Sequence, residues 1–150
     1  MVKETYEINS STCALIPSND FSTVIIETNK TIPISLSISK IINYSCAYYG
    51  SSFKGRLNGS KCALGSKYKL PIIIEESREL IFFPTTSYEN PTCVWISLKN
   101  ISNYERKDNR VLVTFNNKKK IELNISYESF ENQVLRATKL LLILKSRKKF

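Results

Sequence analysis

Two apolar periods divide this chain of 150 residues and limit the folds open to it. From Thr12 to Ile125, apolar residues alternate with polar ones or run in short blocks. That two-residue period belongs to strands, whose successive side chains point to opposite faces. From Phe130 the period changes: Phe130, Val134, Ala137, Leu141 and Leu144 recur at intervals of four, three, four and three. This is the repeat of an amphipathic helix. The predicted fold is therefore α+β, mostly antiparallel β hairpins with one or two helices, the last of them amphipathic and C-terminal.

Thr12–Ile16 and Phe21–Glu27 read as strands around a Pro17-Ser-Asn-Asp turn. Leu70–Ile74 and Glu79–Phe83 flank Glu75-Glu-Ser-Arg as a second hairpin, and Pro71 suits an edge or a strand start. Cys93–Leu98 is a further strand, and Arg110–Phe115 with Lys120–Ile125, joined by Asn116-Asn-Lys-Lys, is the clearest hairpin. Ile34, Ile38, Ile41 and Ile42 fall at helical spacing, which predicts a short helix through Ser35–Tyr44, although their β-branching also suits a strand. Ser126 or Ser129 can cap the final helix, Glu128 and Glu131 lie in its first turn, and cations crowd its end, as the helix dipole favours. No repeat or linker interrupts residues 1–150, which read as one domain with a core of its own.

Charge is the second constraint. The formal net charge is +9 and the pI about 9.4, a balance that suits nucleic acid or an anionic membrane surface. An AT-rich coding sequence would also raise Lys, Asn and Ile, which are abundant here. It would not explain why no Asp or Glu occurs between Glu27 and Glu75. All four glycines (Gly50, Gly55, Gly59 and Gly65) lie in that acid-free stretch, together with Lys54, Arg56, Lys61, Lys67 and Lys69. Read as a glycine-rich loop from Ser51 to Lys69, the segment lets its backbone approach a polyanion closely. Lys54 with Arg56, and Lys67 with Lys69, share a face if the loop is extended, and can straddle phosphates or enter a narrow minor groove. A flexible solvated loop has the same composition. Tyr48, Tyr49, Phe53 and Tyr68 suit base stacking, although aromatics are more commonly core, as Trp95 is expected to be. Lys118, Lys119 and Lys120 at a hairpin tip are either secondary contacts or a guard against edge pairing. Leu140–Leu144 is apolar on every side of its helix, so Leu140, Leu141 and Leu144 are the expected dimer interface.

Several chemistries find no support. The chain has no histidine to act as a base, its two aspartates, Asp20 and Asp108, lie in turn-like settings, and no serine occupies a nucleophile elbow. Gly50-Ser-Ser-Phe-Lys-Gly-Arg does not match phosphate-binding loop spacing, and Glu75 with Glu76 reads as solvated surface. Cys13, Cys46, Cys62 and Cys93 match no zinc spacing, so no metal or cofactor is expected and the thiols read as buried and reduced. The opening residues carry charge and no apolar h-region, and no apolar run approaches a membrane span, so a cytoplasmic protein without membrane insertion is expected.

Four blocks bear a resemblance to one family. Ser45-Cys-Ala-Tyr-Tyr-Gly-Ser-Ser-Phe-Lys-Gly-Arg, Ile81-Phe-Phe-Pro-Thr, Cys93-Val-Trp-Ile-Ser and Ile125-Ser-Tyr-Glu-Ser-Phe-Glu-Asn-Gln-Val-Leu-Arg resemble, in order and spacing, segments of the ComK family of bacterial competence transcription factors. Together they cover most of the chain after Ser45; the opening forty residues match more loosely. The resemblance implies a cytoplasmic, nucleoid-associated activator of DNA-uptake genes. It implies recognition of paired AT-rich boxes, largely from the minor groove of double-stranded DNA, by dimers that assemble into tetramers. The resemblance fades after Arg136. The tail that follows in full-length relatives, which contacts a degradation adaptor and contributes to activation, is expected to be absent. Two other readings follow from the same residues. One is a truncated interaction protein that binds no DNA and sequesters full-length partners. The other is a peripheral membrane protein using Leu140–Leu144 and the basic end.

Overall fold

The computed structural model describes residues 3–148. Strands β1 (Thr12–Pro17), β2 (Thr23–Glu27), β3 (Thr31–Ile34), β4 (Ile72–Glu75), β5 (Leu80–Pro84) and β6 (Trp95–Ser97) form one antiparallel sheet in the spatial order β3-β2-β1-β6-β5-β4. Strands β7 (Ile101–Lys107), β8 (Arg110–Phe115) and β9 (Lys120–Leu123) form a second antiparallel sheet in chain order. Three helices complete the fold: α1 (Ile38–Tyr48), α2 (Phe53–Leu64) and α3 (Tyr127–Arg147).

Alternate residues of the large sheet enter two separate cores. Leu15, Ile25, Ile72, Ile74, Phe82 and Trp95 share a core with Ile41, Ile42 and Cys46 of α1 and with half-buried Phe53 and Leu57 of α2. Ala14, Ile26, Ile73, Ile81, Phe83 and Ile96 instead meet Val111, Val113 and Phe115 of the small sheet and Phe130, Ala137 and Leu140 of α3. A strand covered on both faces has no polar side to alternate with. That is why Ile72-Ile-Ile and Leu80-Ile-Phe-Phe are unbroken apolar runs.

The helices also solve a path problem. The chain leaves β3 at one edge of the sheet and returns as β4 at the other. Five strand spacings separate them, roughly 24 Å. Helices α1 and α2 lie between β3 and β4 in the chain and contact each other, and both contact β4. Ser37 caps α1 through its side chain, and Asn43 Oδ1 of α1 accepts from the backbone N–H of Phe53 at 3.2 Å, which ties α1 to the start of α2.

Most of the predicted strands are present, and both predicted helices form. The α1 helix runs Ile38–Tyr48 rather than Ser35–Tyr44, and Ser126, not Ser129, is the cap of α3. Two strands were invisible to alternation. β7 is polar along both faces, with only Ile101 and Tyr104 half-buried, and β3 is a four-residue edge strand that contains Pro33. The larger correction is the segment read as a glycine-rich loop: residues 53–64 are helical, and only Ser66–Lys69 is a connecting turn.

Phe130 lies fully buried, with ring centroids 5.4 Å from Phe83 and 5.1 Å from Tyr104, and so joins α3 to both sheets. Phe130→Ala is expected to cost about 3–5 kcal/mol of unfolding free energy, read from the midpoint shift in a urea titration.

Candidate nucleic-acid interface

The α2 helix forms because its ends are well closed and one face finds a core. The Ser52 side chain accepts from the N–H of Gly55 at 2.9 Å, and Gly65, at φ 67°, closes the C-terminus with its N–H on the Lys61 carbonyl at 2.9 Å. Phe53, Leu57, Ser60 and Leu64, spaced by four, three and four, turn inward. Two interior glycines each weaken the helix by about 1 kcal/mol relative to alanine, so packing against its neighbours α1 and α3 must compensate.

Helical geometry rearranges the predicted cations. Residues two apart lie about 200° apart around a helix, so Lys54 and Arg56 do not share a face. Arg56 turns toward α1, is half-buried, lies close enough to Cys46 to act on its thiol, and has an enclosed Nε without a hydrogen-bond partner among the described residues. Lys54, Asn58 and Lys61, at i, i+4 and i+7, form the exposed stripe, with Gly55, Gly59 and Cys62 beside it. Lys67 and Tyr68 follow on the turn, and Lys61, Gly65, Ser66, Lys67 and Tyr68 line one open depression. Lys69 is half-buried in a left-handed conformation, φ 47°.

The turn is anchored from behind by α3. The Arg136 guanidinium donates to the carbonyls of Tyr68 at 2.8 Å and Lys69 at 3.0 Å, and to Ser66 Oγ at 3.3 Å. Gln133, itself buried, donates through Nε2 to the carbonyls of Lys69 and Pro84, each at 2.8 Å, and accepts from Arg136 at 2.7 Å. Burial lowers the Arg136 pKa from its ordinary value.

Elsewhere several acids are paired. Glu76 pairs with Lys148 and Glu79 with Lys145, both at 2.6 Å, which ties the β4–β5 hairpin to the end of α3. Glu122 faces Lys107 and Arg110, each at 3.8 Å, and Glu128 pairs with Arg106. The Lys145 contact lowers the pKa of Glu79. Burial raises the pKa of Glu75, but hydrogen bonds from Ser77 and Arg78 outweigh it and leave the pKa lowered, so this residue shapes its turn. Among the described residues, Lys54, Lys61 and Lys67 have no carboxylate within 4.0 Å.

The other expected site residues lie apart from this surface. Lys118 and Lys120 are exposed, and Lys119 is half-buried with Nζ on Thr31 Oγ1 at 3.0 Å. Their tip therefore rests at the β2–β3 edge, across the sheet from α2. Leu140 is 0% exposed, and Leu141 and Leu144 pack partly on the same core. The apolar residues that α3 leaves open are Leu135 and Leu142, each 61% exposed. The aromatics divide: Tyr49 and Phe53 pack on the core and Trp95 is buried within it, whereas Tyr48 is 62% exposed and Tyr68 71% exposed. On α1, Lys40, Tyr44 and Tyr48 form a second exposed stripe at four-residue spacing, which sequence reading missed because α1 was placed too early.

The thiols also divide. Cys13, Cys46 and Cys93 are buried, and burial pushes the first two up to about 11, whereas Cys62 is exposed on α2. A maleimide at neutral pH should label Cys62 alone in the folded protein and all four cysteines after unfolding, as mass spectrometry would count. A Cβ added at Gly59 meets open space, whereas one at Gly55 comes 3.0 Å from the capping Ser52 Oγ. Gly59→Ala should therefore stabilise the fold by about 1 kcal/mol in denaturant unfolding, and Gly55→Ala by less.

A family model described as ComK protein matches residues 3–149, so the likeness continues through α3 and does not stop at Arg136. The competence transcription factor of Bacillus subtilis (strain 168) is 36% identical over 137 residues, covering 89% of this chain and 71% of that protein. No solved structure matches. The chain belongs to the ComK family.

Proposed function

We propose that this protein is a DNA-binding transcription factor of the competence pathway, selective for paired AT-rich boxes in double-stranded DNA and acting in the cytoplasm at the nucleoid. The observation that carries the reading is the acid-free outer surface of α2 and the turn after it. There Lys54, Lys61 and Lys67 stand without carboxylate partners beside an exposed tyrosine. Such a surface gains affinity from a polyanion by releasing counterions, and lysines reach into a narrow AT-rich minor groove where negative potential is high. The relative's name supports the same reading. The Lys118–Lys120 tip, at the β2–β3 edge of the sheet, would serve a separate and weaker contact.

Self-association belongs to the same proposal, because paired boxes call for two copies on one duplex. The open face of α3 available to a second copy carries Leu135 and Leu142, whereas Leu140 is inside the fold and Leu141 and Leu144 are packed partly on the core side.

The test is a gel shift with AT-rich and GC-rich duplexes across a salt series. The expected plot of log affinity against log salt has a slope of about −4 to −6. Lys54→Glu with Lys61→Glu should weaken all duplexes strongly without unfolding, since both side chains are exposed. A flat salt response, or wild-type affinity in that variant, contradicts the reading. Leu135→Lys with Leu142→Lys should leave a folded protein that sediments as a monomer, whereas Leu140→Lys should unfold it.

A further inference from the structure

The turn at Ser66–Lys69 is built more rigidly than a connection requires. Left-handed residues bound it, Gly65 at φ 67° and Lys69 at φ 47°, and a lysine there is strained where glycine is not. Two of its carbonyls and one hydroxyl take hydrogen bonds from the planar guanidinium of Arg136, and Gln133 adds another on Lys69. What this clamp presents is Tyr68, 71% exposed, which lines one open depression together with Lys61 and Lys67. A solvated loop gains nothing from such fixing. A contact group does, because a side chain already held in place loses less entropy on binding.

Resting on the DNA-binding reading above, we propose that the Ser66–Lys69 turn is the element that enters a groove of the duplex. Tyr68 packs against sugars and base edges and sets selectivity, and Lys61 and Lys67 hold the flanking phosphates. Arg136 and Gln133 are positioning residues that touch no DNA. The lysines supply affinity that depends on salt and is indifferent to sequence. The tyrosine adds an apolar, planar contact whose fit depends on groove width and on how readily a base step opens.

The experiment is fluorescence anisotropy with AT-rich and GC-rich duplexes across salt, with circular dichroism on each variant. Tyr68→Ala should lower affinity for the AT-rich duplex roughly 5- to 100-fold, narrow the AT-to-GC ratio and leave the salt slope unchanged. Lys67→Ala should weaken both duplexes and reduce the slope by about one. Arg136→Lys keeps the charge but loses the fork, so it should reproduce the Tyr68→Ala pattern and add little in the double variant. If Arg136→Lys unfolds, Tyr68→Ala alone decides. Tyr68→Ala with wild-type affinity and ratio, alongside a Lys54→Glu/Lys61→Glu variant that no longer binds, overturns the role of the turn and leaves the DNA surface standing. Wild-type binding in every variant overturns both.

Discussion

The large sheet is buried on both faces, and the rest of the structure follows from that. Neighbouring residues of one strand, such as Ile73 and Ile74, lie in different cores. One core needs α1 and α2 as a cover; the other needs α3 and the small sheet. The α2 helix could not stand alone, with two interior glycines and few apolar residues. It is stable where it is because Phe53 and Leu57 reach a core that the sheet and α1 have already formed. Its outer face is then free of any structural task.

Charge is divided along the same lines. Glu75, Glu76, Glu79, Glu122 and Glu128, on two hairpins and at the start of α3, pair with nearby cations. Lys145 and Lys148 near the end of α3 are paired in this way, and no described helix is long and apolar enough to cross a membrane. The α2 surface has no acid in its own sequence and receives none from its neighbours. Exposed pairs of this kind contribute little to stability; Lys54, Lys61 and Lys67 stand outside them. Arg136 connects the two regions, since it lies on the helix that supports one core and fixes the turn that carries Lys67 and Tyr68.

The architecture was legible where side chains repeat a period. The Arg110–Phe115 and Lys120–Leu123 hairpin and the α3 stripe from Phe130 to Leu144 were plain, because burial forces the pattern. β7 was not, since an edge strand with Ile101 and Tyr104 as its main buried residues carries no alternation. Gly55 and Gly59 made α2 read as a loop. The signals against that reading were Ser52 at the N-cap, Gly65 just past the end, and the Phe53, Leu57, Leu64 spacing between them. The loop reading paired Lys54 with Arg56 as extended neighbours, whereas Arg56 faces inward. The acid-free stretch itself was legible, as was the basic character of the surface it forms. The clamp from Arg136 and Gln133 was not, because it joins residues more than sixty positions apart through backbone carbonyls, which no side-chain pattern records.

Cys62 offers the most direct measurement of whether α2 faces DNA. It lies in the middle of the exposed face of α2, and the other three cysteines are buried. Its alkylation rate can be followed in the unaltered protein, with and without a saturating AT-rich duplex. If the α2 surface binds DNA, the rate falls in proportion to the fraction of protein left free and recovers as salt releases the duplex. A rate unchanged at saturation would contradict the account and place the DNA on another face of the protein.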